Sequence, residues 1–301
     1  MMNESEINVA LITDKNYFIP AIATIKSMLA NTNRTVNVKC ILTEVVENEL
    51  NELVDELENK YQNSKIDFLY FDDSILSHVK PKWHISRAAY VKIYLPSILS
   101  NWETCIFLDS DLLVKEDIGL LWDEFQNNGY GKELAAVWNP GYNKDNEVMG
   151  LEEDEKTFNS GIMVMNLNSM RKQNATEKLE KFIKEFNHVT LLNDQAAFNA
   201  VYKREWLELP LKWNVQFLFF AKRGKEIGIE KQSLEQLKKN PAIVHFTTSS
   251  KPWKFRSVHP FKKEYLPYYL SVENSTYQGK VSFIDVIKRV REIFLFAIGK
   301  I

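Results

Sequence analysis

CIFLDSDLLV, residues 105–114, is the most strand-like segment of the chain, apolar on both sides of the acidic triplet Asp109-Ser110-Asp111. Two carboxylates directly after Cys105-Ile-Phe-Leu108 are costly inside a core unless something positive neutralises them. At a spacing of two on an extended chain both side chains can point the same way, toward one hard cation. The alternative is a strand-end turn whose aspartates are simply solvated. The surrounding sheet favours the cation, because open α/β sheets bind ligands beyond the C-terminal ends of their parallel strands.

The flanking sequence predicts such a sheet. INVALIT (7–13) is a short apolar run with β-branched residues, the pattern of a buried parallel strand. From Pro20 onward, Ile22, Ile25, Met28 and Leu29 recur at helical spacing. VNVKCILT (36–43) predicts a second strand, Leu50, Leu53, Val54 and Leu57 one face of a helix, and IDFLYF (66–71) a third strand. This βαβαβ opening predicts an α/β doubly wound sheet with right-handed crossovers. Residues 85–100 read as helical up to a break at Pro96. AAVW (135–138), SGIMVMNL (160–167) and AIVHFT (242–247) predict further strands, and 175–187 and 193–202 further helices.

Composition narrows the function. The 301 residues are 45% hydrophobic and 26% charged, as in globular proteins. With 38 Lys+Arg against 40 Asp+Glu, the net charge of −2 excludes the basicity of a general nucleic-acid binder. The two cysteines, Cys40 and Cys105, lie in strand-like runs and are expected to be buried thiols, not a disulfide or a zinc site. The opening MMNESEINVA lacks the basic start and apolar stretch of a signal peptide, and no run of 18 apolar residues occurs, so a cytoplasmic location is expected. The ten glycines build neither GxGxxG nor GxxxxGK[ST], so any phosphate is left to a metal and side chains.

Other residues carry candidate chemistry. His245 closes a strand, and Lys251 follows six residues later, stiffened by Pro252 and Trp253. A strand-end histidine is commonly structural; beside Asp109 and Asp111 it would complete a set suited to Mn²⁺, or less well to Mg²⁺. Asp14-Lys-Asn16-Tyr17 at the end of the first strand offers contacts for a base and ribose, or an ordinary capping turn. Asn159-Ser160-Gly161 opens a strand and Asn193-Asp194-Gln195 a helix, where the sequence taken alone slightly favours Asp194 as an N-cap or first-turn acid. Asp145 and the run Glu152-Glu153-Asp154-Glu155 read as a solvated loop.

Residues 251–301 hold ten Lys/Arg against four Asp/Glu. There Phe283, Ile287, Val290 and Phe294 recur at i, i+4, i+7 and i+11, with Lys288, Arg289 and Arg291 nearby. That pattern suits an interfacial helix on anionic lipid, contacting it through 281–300, or one packed on the domain or a second copy. The chain is expected to divide into a domain at 1–270 and a basic amphipathic tail at 271–301, with the tail separable from the chemistry.

In this order, the strand followed by Asp14-x-Asn16-Tyr17, Asp109-x-Asp111, Phe158-Asn-Ser-Gly161, Asp194-Gln195 and His245-x5-Lys251-Pro-Trp253 resemble glycosyltransferase family 8 over about residues 7–265. The resemblance implies a GT-A nucleotide-diphospho-sugar transferase fold. It also implies retaining, Mn²⁺-dependent transfer of galactose or glucose from a UDP-sugar to a glycan or glycolipid hydroxyl. The setting it suggests is bacterial lipopolysaccharide, surface polysaccharide or glycoprotein glycan synthesis; the tail would place the protein peripherally on the inner face of the plasma membrane.

Carried over by position, Asp109, Asp111 and His245 would hold the metal and Lys251 the diphosphate. Asp14, Asn16 and Tyr17 would hold uridine, and Ser110 and Lys92 would contact the donor. Asn159, Asp194 and Gln195 would line the sugar pocket, the last two stabilising an oxocarbenium-like state, while Trp253 would support the Lys251 turn. Three positions depart from the pattern: Lys92 where arginine is usual, Thr248 where glycine is common, and Ala196 where an acid is frequent. Two rivals are a sugar-1-phosphate nucleotidyltransferase, whose glycine-rich basic loop is missing after the first strand, and a non-catalytic nucleotide-sugar-binding protein.

Overall fold

Apolar runs that alternate with helical spacing become ten strands in the computed structural model, which describes residues 6–46, 50–82, 86–140, 142–221, 224–273, 275 and 281–297. They are β1 (Ile7–Thr13), β2 (Val36–Leu42), β3 (Ser64–Tyr70), β4 (Thr104–Leu108), β5 (Leu112–Val114), β6 (Leu134–Trp138), β7 (Phe158–Asn166), β8 (Leu207–Leu209), β9 (Val215–Gln216) and β10 (Ile243–His245). Seven form one sheet in the order β3-β2-β1-β4-β7-β6-β8, and β5-β10-β9 form a second. In the large sheet every neighbouring pair is parallel except those of β7, which runs against both β4 and β6.

Both faces of the large sheet are covered, as parallel strands require. Along β1, Val9 and Leu11 face a core shared with Phe18, Ile22, Ile25, Leu53 and Leu57, while Ala10 and Ile12 face one shared with Tyr90, Ile93 and Phe198. β4 repeats the alternation, with Ile106 and Leu108 on the first face and Cys105 and Phe107 on the second. Cys40 and Cys105 are buried free thiols, as expected.

The segment at 105–114 is not one strand. β4 ends at Leu108, the acidic triplet crosses over, and β5 begins in the other sheet. One edge of β5 pairs with β10. The other is bonded by side chains from the helix Phe18–Ala30 and its C-cap: Thr24 Oγ1 takes the Leu112 N–H (3.1 Å), Ser27 Oγ the Val114 N–H (3.0 Å), and Asn31 Nδ2 donates to the Val114 carbonyl (3.1 Å). Positions 24, 27 and 31 share one helical face, so an otherwise apolar helix carries a polar stripe that substitutes for a missing strand.

Two further expectations are corrected. Pro96 does not break the 85–100 segment: residues Arg87–Tyr94 form 3₁₀ turns, and Pro96 sits in the first turn of the helix Leu95–Ile98, where its missing N–H costs nothing. Asp145 is not a solvated loop residue. It is buried, and its Oδ2 accepts the N–H groups of Leu191 (2.7 Å) and Leu192 (2.9 Å). Among the described residues no helix is long and apolar enough to cross a membrane.

Ile106 is fully buried in β4, between β1 and β7. Ile106→Ala is expected to lower the unfolding free energy by about 2–5 kcal/mol, read as a fall in the urea midpoint with an unchanged slope.

Candidate active site

Because β7 runs against its neighbours, its first residues enter the sheet at the edge where β1 and β4 end. Asp14, the Asp109 triplet and Phe158-Asn-Ser-Gly161 therefore meet at one place, although they are far apart in the chain. β10 delivers His245 there from the second sheet, paired opposite Leu112, the residue after Asp111. A register shift between β6 and β7 at Ala136/Val137 bulges β7 beside them, the usual way a strand re-aims side chains at a site. Gly161 has a specific reason to be glycine. A Cβ there would lie 2.2 Å from His245 Cε1 and 2.6 Å from Asp109 Oδ2.

The result is a cavity of about 450 Å³. Asp14, Tyr17, Lys92, Asp109, Ser110, Asp111, Asn159, Asp194, Gln195, His245 and Lys251 all line it. Asn16 and Trp253 do not. Asn16 sits on an exposed turn, where Asp14 Oδ1 accepts the N–H groups of Asn16 (2.9 Å) and Tyr17 (3.0 Å). Trp253 lies behind Tyr17, edge-on to it at 5.7 Å and stacked on Tyr269 at 5.8 Å.

One ligand atom from each of Asp109, Asp111 and His245 falls within 4.8 Å of the others. His245 Nε2 is 3.6 Å from Asp109 Oδ2 and 3.3 Å from Asp111 Oδ1. Its Nδ1 is 3.0 Å from Asn214 Oδ1. The Asn214 amide is oriented in turn: its Nδ2 donates to Asn159 Oδ1 (2.8 Å), which also accepts the Gly161 N–H (3.0 Å). Nδ1–H therefore donates to Asn214, which leaves Nε2 on the side of the two carboxylates. Hard oxygens with one imidazole oriented from behind fit a divalent cation.

Asn214, fully buried, is a site residue that sequence reading misses. The same chain of amides continues from Asn159 Nδ2 to Gln195 Oε1 (2.9 Å). Gln195 Nε2 is left as a buried donor with no protein partner among the described residues, at the wall of the cavity.

Two buried lysines balance the acids. Lys251 Nζ is 2.5 Å from Asp111 Oδ2. Burial would raise the Asp111 pKa, but Lys251 and His245 outweigh it and hold the carboxyl well below its usual range. Lys92 Nζ lies 3.2 Å from Asp109 Oδ1 and 3.1 Å from Asp194 Oδ2, and donates to the Ser160 carbonyl (3.2 Å). Burial pulls the Lys92 pKa down, yet the two carboxylates raise it overall, so the ammonium stays charged. Asp194 moves upward, chiefly by burial, with Lys92 opposing. It occupies the first turn of the helix Asp194–Val201, but its carboxylate also accepts from Ser160 Oγ (2.9 Å). The preceding Asn193 has φ 52°, a strained value for a side-chain-bearing residue. Tyr90 Oη and the Lys82 N–H hold it there, each donating to its Oδ1 at 3.0 Å.

The sequence model of glycosyl transferase family 8 matches residues 8–257, a span that contains every residue lining the cavity. The chain belongs to glycosyltransferase family 8. It is therefore a glycosyl-transferring enzyme. The family sets it apart from the sugar-1-phosphate nucleotidyltransferases.

General stress protein A of Bacillus subtilis is 36% identical over 208 residues, 67% of this chain and 72% of its own. Lipopolysaccharide 1,2-glucosyltransferase of Escherichia coli is 25% identical over 252 residues, 82% and 73% of the two chains. Among solved structures, galactosyltransferase LgtC in complex with donor and acceptor sugar analogs superposes with a TM-score of 0.76 at 17% identity, covering 90% of this chain and 98% of that one. The fold is GT-A: a mostly parallel seven-stranded sheet flanked by helices.

Asn214→Leu keeps the volume but removes the acceptor of His245 Nδ1–H. It is expected to weaken Mn²⁺ binding roughly 10–100-fold in isothermal titration while the circular dichroism stays native. Unaltered affinity would show that the amide does not orient the imidazole.

Proposed function

We propose that this enzyme transfers a hexose, galactose or glucose, from a UDP-sugar to a hydroxyl of a glycan or glycolipid, with retention of anomeric configuration. The observation that carries the reading is the gathering of Asp109, Asp111, His245 and Lys251 around one point of a family 8 cavity. Asp109, Asp111 and His245 hold Mn²⁺, or less well Mg²⁺, which when bound supplies Lewis-acid neutralisation of a diphosphate leaving group. Lys251 adds a fixed positive charge for the same diphosphate, an electrostatic role without proton transfer.

Tyr17, backed by Trp253, offers a ring for the base, while Asp14 and Asn16 shape the turn beside it and Ser110 lines the floor. Gln195 Nε2 and Asn159 face the sugar. Asp194 is held by Lys92 and Ser160, so its negative charge serves to stabilise positive charge at the anomeric carbon. The relatives named as lipopolysaccharide glucosyltransferase and galactosyltransferase support a role in bacterial surface glycan synthesis.

In this reading residues 1–270 are the transferase and 271–301 a tail that brings it to the inner face of the plasma membrane. The helix Phe283–Ala297 leaves Phe283, Ile287, Val290 and Phe294 53–79% exposed, with Lys288 and Arg291 on the same helix. An apolar row with flanking cations matches an anionic bilayer surface in both polarity and charge.

UDP release from a panel of UDP-sugars, with and without Mn²⁺, tests the chemistry. Turnover is expected with UDP-galactose or UDP-glucose in Mn²⁺, and Asp111→Asn is expected to lose at least about 100-fold of it with the fold intact. Near-normal activity of that variant would remove the metal assignment, and binding without turnover would favour the non-catalytic nucleotide-sugar-binding reading. For the tail, the double variant Ile287→Glu/Val290→Glu is expected to abolish co-sedimentation with phosphatidylglycerol vesicles. Failure of the parent protein to sediment, with a dimer that the double variant dissolves, would assign the apolar row to a second copy instead.

A further inference from the structure

The sequence treats the tail as separable from the chemistry, but its contacts run to the loop that carries Lys251. Three residues of the helix Phe283–Ala297, Arg289, Glu292 and Phe296 at i, i+3 and i+7, face inward while the apolar row faces out. Glu292 Oε2 accepts from Ser250 Oγ at 2.7 Å, one residue before Lys251, and Glu292 Oε1 is 3.5 Å from Arg256 Nε. Arg289 Nη1 donates to the Phe255 carbonyl at 2.8 Å, with its guanidinium 4.7 Å from the centre of the Phe255 ring. Phe296 packs at 5.6 Å against Phe217, which in turn lies 5.5 Å from His259.

The loop is anchored elsewhere by Trp253, which packs on Tyr17, Tyr265 and Tyr269, and by Lys254 Nζ donating to the Ser249 carbonyl (3.1 Å). After β10 it is closed by turns at Lys254 and Ser257, by Ser257 Oγ donating to the Ser250 carbonyl (3.1 Å), and by Lys262 Nζ donating to the carbonyls of Lys254, Phe255 and Ser257. None of these bonds grips the Ser250 side chain, which Glu292 holds. Lys251 must nonetheless keep a flexible four-carbon side chain on Asp111 and on the Phe246 carbonyl (2.6 Å). A charged group on such a stem is useful to a leaving diphosphate only if its backbone is fixed.

We infer that the C-terminal helix is a positioning element of the active site: Glu292 and Arg289 clamp residues 249–257 and thereby set Lys251 over Asp111. The inference rests on the reading of Lys251 as a diphosphate contact. Glu292 and Arg289 touch neither the cavity nor its acids, so they act on the donor only through the loop.

The test uses the full-length chain with Glu292→Ala, Glu292→Gln and Arg289→Ala, followed by hydrogen exchange and UDP titration in Mn²⁺. Glu292→Ala and Arg289→Ala are expected to lose amide protection across 249–257, with protection of β1 and β4 unchanged, and to weaken UDP about 3- to 10-fold. Glu292→Gln, whose amide oxygen still accepts from Ser250, is expected to recover most of both effects. In turnover, donor KM should rise more than kcat falls. Wild-type protection of 249–257 in both alanine variants, or wild-type UDP affinity in both, overturns the inference. If the parent protein binds no UDP, the donor reading of Lys251 falls, and exchange at 249–257 alone decides whether the tail holds the loop.

Discussion

Two aspartates placed side by side at the end of a buried strand must be neutralised, and the rest of the site follows from that constraint. Asp109 and Asp111 leave β4 where it would otherwise continue into an apolar core, Asp111 buried and Asp109 half-buried at the cavity wall. Lys92 approaches from one side of the large sheet, Lys251 from the loop after β10, and His245 from the second sheet. Each of these partners comes from a different element, so the fold has to bring three remote segments to one strand end. The reversal of β7 makes room at that edge, and Gly161 supplies the last ångströms, since any side chain there would collide with the imidazole. The short β5 keeps the crossing rigid because a helix face of hydroxyl and amide groups completes its hydrogen bonds.

Local periodicity made the parallel half of the sheet legible. INVALIT coincides with β1 to the residue, and β2 and β3 fall within two residues of their apolar runs, because strands buried on both faces announce themselves as continuous apolar sequence. The same signal misleads at 105–114: an apolar run cannot show that its two halves join different sheets, which is decided by what pairs with them far along the chain. β8 and β9 are too short to register, at three and two residues. In the site, acids and basic groups stood out by their spacing and by a family pattern. Asn214 and Asp145 did not. Each is a single buried polar residue in an unremarkable local context, and its importance is set by partners thirty or more positions away.

The departures from the family pattern make physical sense once their surroundings are known. Ala196, where an acid is frequent, is fully buried with Met149 and Leu151 and is not among the residues lining the cavity, so a carboxylate there would sit in an apolar cluster. Lys92 is the more instructive case. An ammonium has three N–H donors, and the protein supplies three acceptors around it, on Asp109, Asp194 and the Ser160 carbonyl, with the face of Phe107 closing the remaining side at 4.6 Å.

A guanidinium brings five donors in a rigid plane, more than these three acceptors use, and would have N–H groups left to reach a ligand. Lysine leaves none. In this chain position 92 therefore works as an internal counter-charge that ties Asp109 and Asp194 together. The compact point charge fits where a forked one would demand further partners, and the neighbouring acids fix both its orientation and its protonation.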